Sequence, residues 1–144
     1  MGKETFHYET VIDAQLDEVW GFFSTADNLV KITRLPKITL LSNPETIQGN
    51  TIKMKIGVAG VSVMWEALIE EVKAPHFFID KAIKPPFPFT AWKHIHAFEQ
   101  SGERVLMKDT VEYEATIPTF IVNKLLTKMF RDRGKAVKQL TRAM

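Results

Sequence analysis

The stretch from Ile117 to Met144 constrains everything before it. Pro118 suits the first turn of a helix, and no proline follows it. Val122, Leu125, Leu126, Met129, Phe130, Val137 and Leu140 recur at three- and four-residue steps, so a helix carries them on one stripe. Lys124, Lys128, Arg131, Lys135, Lys138 and Arg142 repeat in the same way on the opposite face. Arg133 breaks the pattern, because it falls near the centre of the apolar stripe. Such a helix must bury its stripe, and the upstream sequence supplies the partner as a set of short strands.

Thr5 to Ile12 alternates, with Phe6, Tyr8, Thr10 and Ile12 on one side and His7, Glu9 and Val11 on the other, which predicts a strand. Asp13 is the expected cap of a helix carrying Leu16, Val19, Trp20 and Phe23. Ser24 to Asn28 breaks it, and a second short helix is expected at about Leu29 to Thr33, ahead of Pro36. Lys37 to Ser42 reads as a strand. Thr51 to Val58 places Ile52, Met54, Ile56 and Val58 on one face, and Gly57 to Gly60 reads as a hairpin turn. The return strand then points Val61, Val63, Trp65, Ala67 and Ile69 inward. A strand from His76 to Lys84 precedes Pro85-Pro86-Phe87-Pro88-Phe89, whose proline density excludes a central strand. Ala91 to Glu99 and Arg104 to Thr116 pair across a short turn. Their inner faces carry Trp92, His94, His96 and Phe98, and Val105, Met107, Asp109, Val111 and Tyr113. The order is strand, two short helices, about six antiparallel strands and one long helix. The fold class is α+β: a curved antiparallel sheet wrapped around the C-terminal helix, in one domain of 144 residues.

Composition narrows the function classes. The chain has no cysteine, which excludes disulfides, thiol catalysis and thiolate metal sites and fits a cytoplasmic location. No apolar run is long enough to cross a membrane, and with no apolar stretch after Met1-Gly2-Lys3-Glu4-Thr5 a signal peptide is not expected. From Ile117 onward there are seven Lys and Arg against the single acid Asp132, whereas the upstream part holds twelve basic and sixteen acidic residues. The first reading of this asymmetry is a solvated helix face beside an acidic sheet. A peripheral membrane or an acidic partner could also meet the basic face. No RNA-binding aromatic motif, zinc finger or helix-turn-helix signature points to nucleic acid.

Several ordered fragments carry a family resemblance. They are Asn28-Leu29 with Ile32-Thr33 and Pro36, Trp65 with Ile69, Phe78-Ile79-Asp80, Trp92-Lys93-His94-Ile95-His96-Ala97-Phe98, Asp109-Thr110-Val111-Glu112-Tyr113, and Phe130 with Arg133. In this order they resemble the helix-grip superfamily of START-like and birch-pollen-allergen-like proteins, and within it a bacterial polyketide cyclase/dehydrase-like branch. Ala82, where that branch often has Gln, and Pro85-Pro86 in place of Gly-Pro depart from the pattern. The resemblance implies a cavity between sheet and helix.

Candidate site residues follow from the inward faces. His94 and His96 share one face of a strand and could act as acid and base, or ligate a metal together with Asp80 or Asp109. They lack a diagnostic third-ligand spacing, so neither a metal nor a cofactor is expected. Asp80 and Asp109 need partners among His94, His96, Tyr113 and Arg133, because an unpaired buried carboxylate is costly. Met54, Trp65, Trp92, Met107 and Met129 suit a cavity for a flat or irregular apolar ligand, and an enclosed cavity is expected at Trp65, Trp92, Tyr113 and Met129. No glycine-rich phosphate loop, G-x-S-x-G or H-E-x-x-H is present. The expected function is binding of a small apolar or amphipathic molecule. A cyclase/dehydratase-like enzyme using His94 or His96 is the first alternative, and an interaction module through the basic helix face the second. Arg133 is expected to pair with Asp80 or Asp109, to snorkel to the rim, or to await an anionic ligand.

Overall fold

The computed structural model describes residues 2–33 and 36–141. The elements run β1 (Glu4–Ile12), α1 (Leu16–Phe23), α2 (Ala26–Ile32), β2 (Lys37–Leu40), β3 (Thr51–Val58), β4 (Val61–Lys73), β5 (Phe77–Ile83), β6 (Phe89–Ser101), β7 (Arg104–Ala115) and α3 (Thr119–Thr141). The strands form one seven-stranded antiparallel sheet in the order β1-β7-β6-β5-β4-β3-β2. Five antiparallel connections between consecutive strands, β2 to β7, build most of it, and α1 and α2 carry the chain from the β1 edge to the β2 edge.

Local chemistry explains the elements and corrects some boundaries. Asp13 does not cap α1; the cap position is Gln15, which makes no side-chain cap bond. The Leu16 N–H donates instead to Oε1 of Gln100, at the far end of β6 (3.0 Å). α2 begins three residues earlier than the periodicity suggests, because the Thr25 hydroxyl accepts from the Asp27 N–H and starts the helix at Ala26. The β3–β4 turn is the two residues Ala59 and Gly60, both at positive φ (53° and 80°), which matches the twist of a tight hairpin. Val61 and Val63 lie beside that tip and are exposed, so only Trp65, Ala67 and Ile69 of that strand's predicted inward set turn toward the interior.

α3 lies across the β1 end of the sheet. Val122, Leu126, Phe130 and Val137 are buried as the stripe predicts, and Phe130 packs on Phe6 and Tyr8. Leu125 is 58 % exposed, so it leaves the stripe. The side chain of Leu140, and Arg142, fall outside the described residues. Gly134 is the point of closest approach: a Cβ there would stand 3.3 Å from the Thr10 side chain. Three apolar clusters result. One holds α3 on β1, β6 and β7, one holds α1 on Phe78, Phe98 and Met107, and one holds α2 on β2, β3 and β4. Trp65 borders both the α3 and the α2 clusters, and the space between them is left unfilled.

Candidate functional site

That space is a cavity of about 350 Å³ between the sheet, α2 and α3. Its walls are mainly apolar and include Leu29, Met54, Trp65, Phe89, Leu126 and Met129. It is partly open rather than enclosed, and exposed Leu125 stands in its wall. Polar side chains enter from the sheet and the helix as Asp80, His94, His96 and Arg133.

Strand geometry sets the polar cluster. The two-residue period of β6 puts Trp92, His94 and His96 on one face, and β5 and β7 flank it with Asp80 and Asp109. Asp80 lies directly opposite His94 in register, and Asp109 lies directly opposite His96. The hydrogen bonds run along the diagonals instead. His94 Nε2 meets Asp109 Oδ1 at 2.8 Å, and His96 Nε2 meets Asp80 Oδ2 at 2.5 Å. This crossed pairing leans the imidazoles onto each other, with ring centroids 3.6 Å apart and planes 26° apart. Phe78 extends the stack on the other side of His96 at 4.1 Å.

Burial alone would push the Asp109 carboxyl up, but the hydrogen bond from His94, and then the charges of His94, His96 and Arg133, hold it below the usual carboxylate range. Asp80 is likewise held down against burial, by its bond to His96 and by the charges of His96, His94 and Arg133. Both carboxylates are therefore ionised, and each imidazole donates from Nε2. His96 is pushed below the ordinary imidazole value, by burial first and then by His94, against the pull of Asp80 and Asp109.

Asp80, His94 and His96 also bring one ligand atom each to within 4.8 Å of one another. Their geometry suits a single ion poorly. Each Nε2 already faces a carboxylate, so ligation through it would mean giving up those hydrogen bonds.

Arg133 reaches the same cavity from α3. Its guanidinium carbon lies 5.1 Å from the centre of the Phe130 ring, and its buried Nε has no hydrogen-bond partner. Burial pulls its pKa down while Asp109 and then Asp80 oppose that shift, and a guanidinium keeps its proton. The expected direct pair with Asp80 or Asp109 does not form, because each carboxylate is turned to its imidazole.

No family model matches the chain, and no curated protein matches it. Solved structures do match. Ara h 8.0201 aligns with a TM-score of 0.76 and 12% identity, over 99% of this chain and 100% of that one. Norcoclaurine synthase from Thalictrum flavum, in complex with dopamine and hydroxybenzaldehyde, aligns at 0.74 and 15% identity, over 99% and 88%. A START superfamily protein from Mycobacterium smegmatis aligns at 0.74 and 11% identity, over 99% of each chain. The chain has the START-like, birch-pollen-allergen-like helix-grip fold.

Within this helix-grip frame the structure brings Met54, Trp65, Asp80, Trp92, His94, His96, Met129 and Arg133 to one cavity. Tyr113 and Asp109 are not in its lining. Tyr113 is 1 % exposed, packs against Phe89 and directs its hydroxyl toward Asn123 (3.4 Å). Asp109 stands behind His94 as its hydrogen-bond partner. The lining that sequence reasoning missed includes Phe23, Ala26 and Leu29 of α1 and α2. The apolar spacing in these helices was visible, but not the side of the sheet they would cover. Among the described residues, no helix is long and apolar enough to cross a membrane. On the basic face Lys124, Lys128, Arg131, Lys135 and Lys138 are exposed, and Lys128 pairs with Asp132 at 2.7 Å.

Proposed function

We propose that this chain binds a small, mostly apolar molecule in the cavity between the sheet and α3, as a carrier or sensor. One observation carries the reading: a cavity of about 350 Å³ with mainly aromatic and aliphatic walls and a few polar side chains, Asp80, His94, His96 and Arg133 among them. Binding sites in general are largely apolar concavities with a few polar groups that orient the ligand. Trp65 and Trp92 meet edge to face at 5.4 Å in the wall and offer a flat contact surface. The test is native mass spectrometry of the purified protein, followed by displacement of a neutral apolar dye. The expected result is a co-purified small molecule or saturable dye binding that Trp65→Ala weakens. A protein that carries nothing and binds no apolar probe would sink the proposal.

A second reading is supported by the paired imidazoles and carboxylates. With Nε2 of each histidine bonded to an ionised carboxylate, a neutral imidazole presents Nδ1 as a base. Such a group could move protons on a bound carbonyl compound, as a cyclase or dehydratase requires. Ligand binding with no chemical change over long incubation would favour the carrier. Turnover that His96→Phe abolishes, with ligand affinity kept, would favour the enzyme.

A further inference from the structure

We infer that the cavity takes an apolar monocarboxylate, with the carboxylate seated on Arg133 and the body against Trp65, Trp92, Leu126 and Met129. This rests on reading the cavity as a binding site. Arg133 lines the cavity from α3, and no hydrogen bond or ion pair joins its guanidinium to another described side chain. A guanidinium is a planar fork of N–H donors that stays charged; Arg133 is half-buried, and leaving its buried Nε–H unmet is costly. The two carboxylates that attract it cannot complete it without giving up the 2.8 Å and 2.5 Å bonds to His94 and His96. The Phe130 ring beneath it supplies a π face and no acceptor. An acceptor that enters through the cavity would complete the fork.

Two observations narrow its chemistry. A carboxylate matches the guanidinium fork in plane and spacing, with two parallel hydrogen bonds. Asp80 lines the same cavity and is ionised, so a dianion such as a phosphate monoester would place a second negative charge beside an existing one. A single negative charge meets less repulsion from Asp80 and Asp109 than a dianion does. The rest of the wall is apolar and aromatic, so the body of the ligand is too. Aliphatic and aromatic acids share this chemistry, and paired probes separate them.

The experiment compares acids with their neutral counterparts. Decanoate and decanol, and 2-naphthoate and 2-naphthalenemethanol, compete with a neutral apolar dye for the protein at pH 7.5. The expected result is that in at least one pair the acid binds roughly tenfold or more tightly than its alcohol, as a charge-assisted hydrogen bond gives. Arg133→Met removes that preference and leaves the affinity for the alcohol. Arg133→Lys, which keeps the charge but loses the fork, retains only part of it. If an alcohol binds as well as its acid in both pairs, the anchor is refuted and the apolar cavity stands. If neither acids nor alcohols bind, the cavity reading itself fails and the anchor with it. Should Arg133→Met not fold, the acid-to-alcohol ratio of the parent protein still decides the matter.

Discussion

Removing Asp109 tests the network at its deepest point. Asp109 and His94 are 3 % and 5 % exposed, and their hydrogen bond of 2.8 Å is the buried link between β7 and β6. Asp109→Val keeps a strand-favouring side chain of similar size but leaves the His94 Nε2–H with no acceptor. It also takes from Arg133 one of the two carboxylates that attract it. Breaking one side of a buried pair costs about 3 kcal/mol or more. For a chain of this size that lowers the melting temperature by roughly 10 °C. His94→Phe should cost about as much, because it leaves Asp109 ionised and buried with neither oxygen bonded. Its Oδ2 already has no partner. The double variant removes both polar groups together, so it should be no less stable than either single variant, with a coupling of about 3 kcal/mol. Urea unfolding followed by circular dichroism measures all four proteins. If the two single losses simply add, about 6 kcal/mol in the double variant, the two residues act independently and the network reasoning is wrong.

Acid should weaken the fold in two stages. His96 has a folded pKa below its unfolded 6.5, so its contribution is complete above that pH and is lost as pH falls through the folded value. Asp80 and Asp109 follow below their unfolded 3.8, as pH falls through their depressed folded values. Melting temperatures that stay level from pH 7 to pH 4.5 would contradict a buried neutral His96. Gly134→Ala should gain up to about 1 kcal/mol of helix propensity but lose about 2 kcal/mol to crowding against Thr10, for a small net loss in thermal melting. Adding Thr10→Ala should recover stability; a Gly134→Ala protein more stable than the parent would show that α3 is free to shift. Leu126→Ala should cost about 3 kcal/mol and Leu125→Ser less than about 0.5 kcal/mol, and equal losses in urea unfolding would place Leu125 in the core.

The strands were legible because their side chains obey a period of two: Thr51 to Val58 appears where alternation put it, and the strand expected over Arg104 to Thr116 ends one residue earlier, at Ala115. The limits of that reasoning are equally specific. Val61 and Val63 continue the alternation of β4 but sit at a hairpin tip beyond the reach of the helices, so period without position misplaced them. The cap of α1 comes from Gln100, 84 residues away, and no local motif records it. Within the site, inward orientation of His94, His96, Asp80 and Asp109 followed from strand parity alone. The crossed partners did not, because they depend on how each ring leans once the register of three strands is fixed. Tyr113 illustrates the remaining gap. Facing inward is not the same as facing a cavity, and only the placement of α3 decides which inward residues keep open space in front of them.

The position of β1 at the sheet edge has a consequence for how the chain is made. Among the described strands its one neighbour is β7, and the paired residues His7 and Thr110 are 103 positions apart. At ordinary rates of synthesis, roughly 5 to 20 s separate the emergence of the two strands. Throughout that interval β1 exposes Phe6 with neither β7 beside it nor α3 over it. α3, which rests on β1 and supplies Leu126, Met129 and Arg133 to the cavity, emerges later still. The ribosome therefore completes every wall of the cavity before the one that turns an open apolar trough into a container.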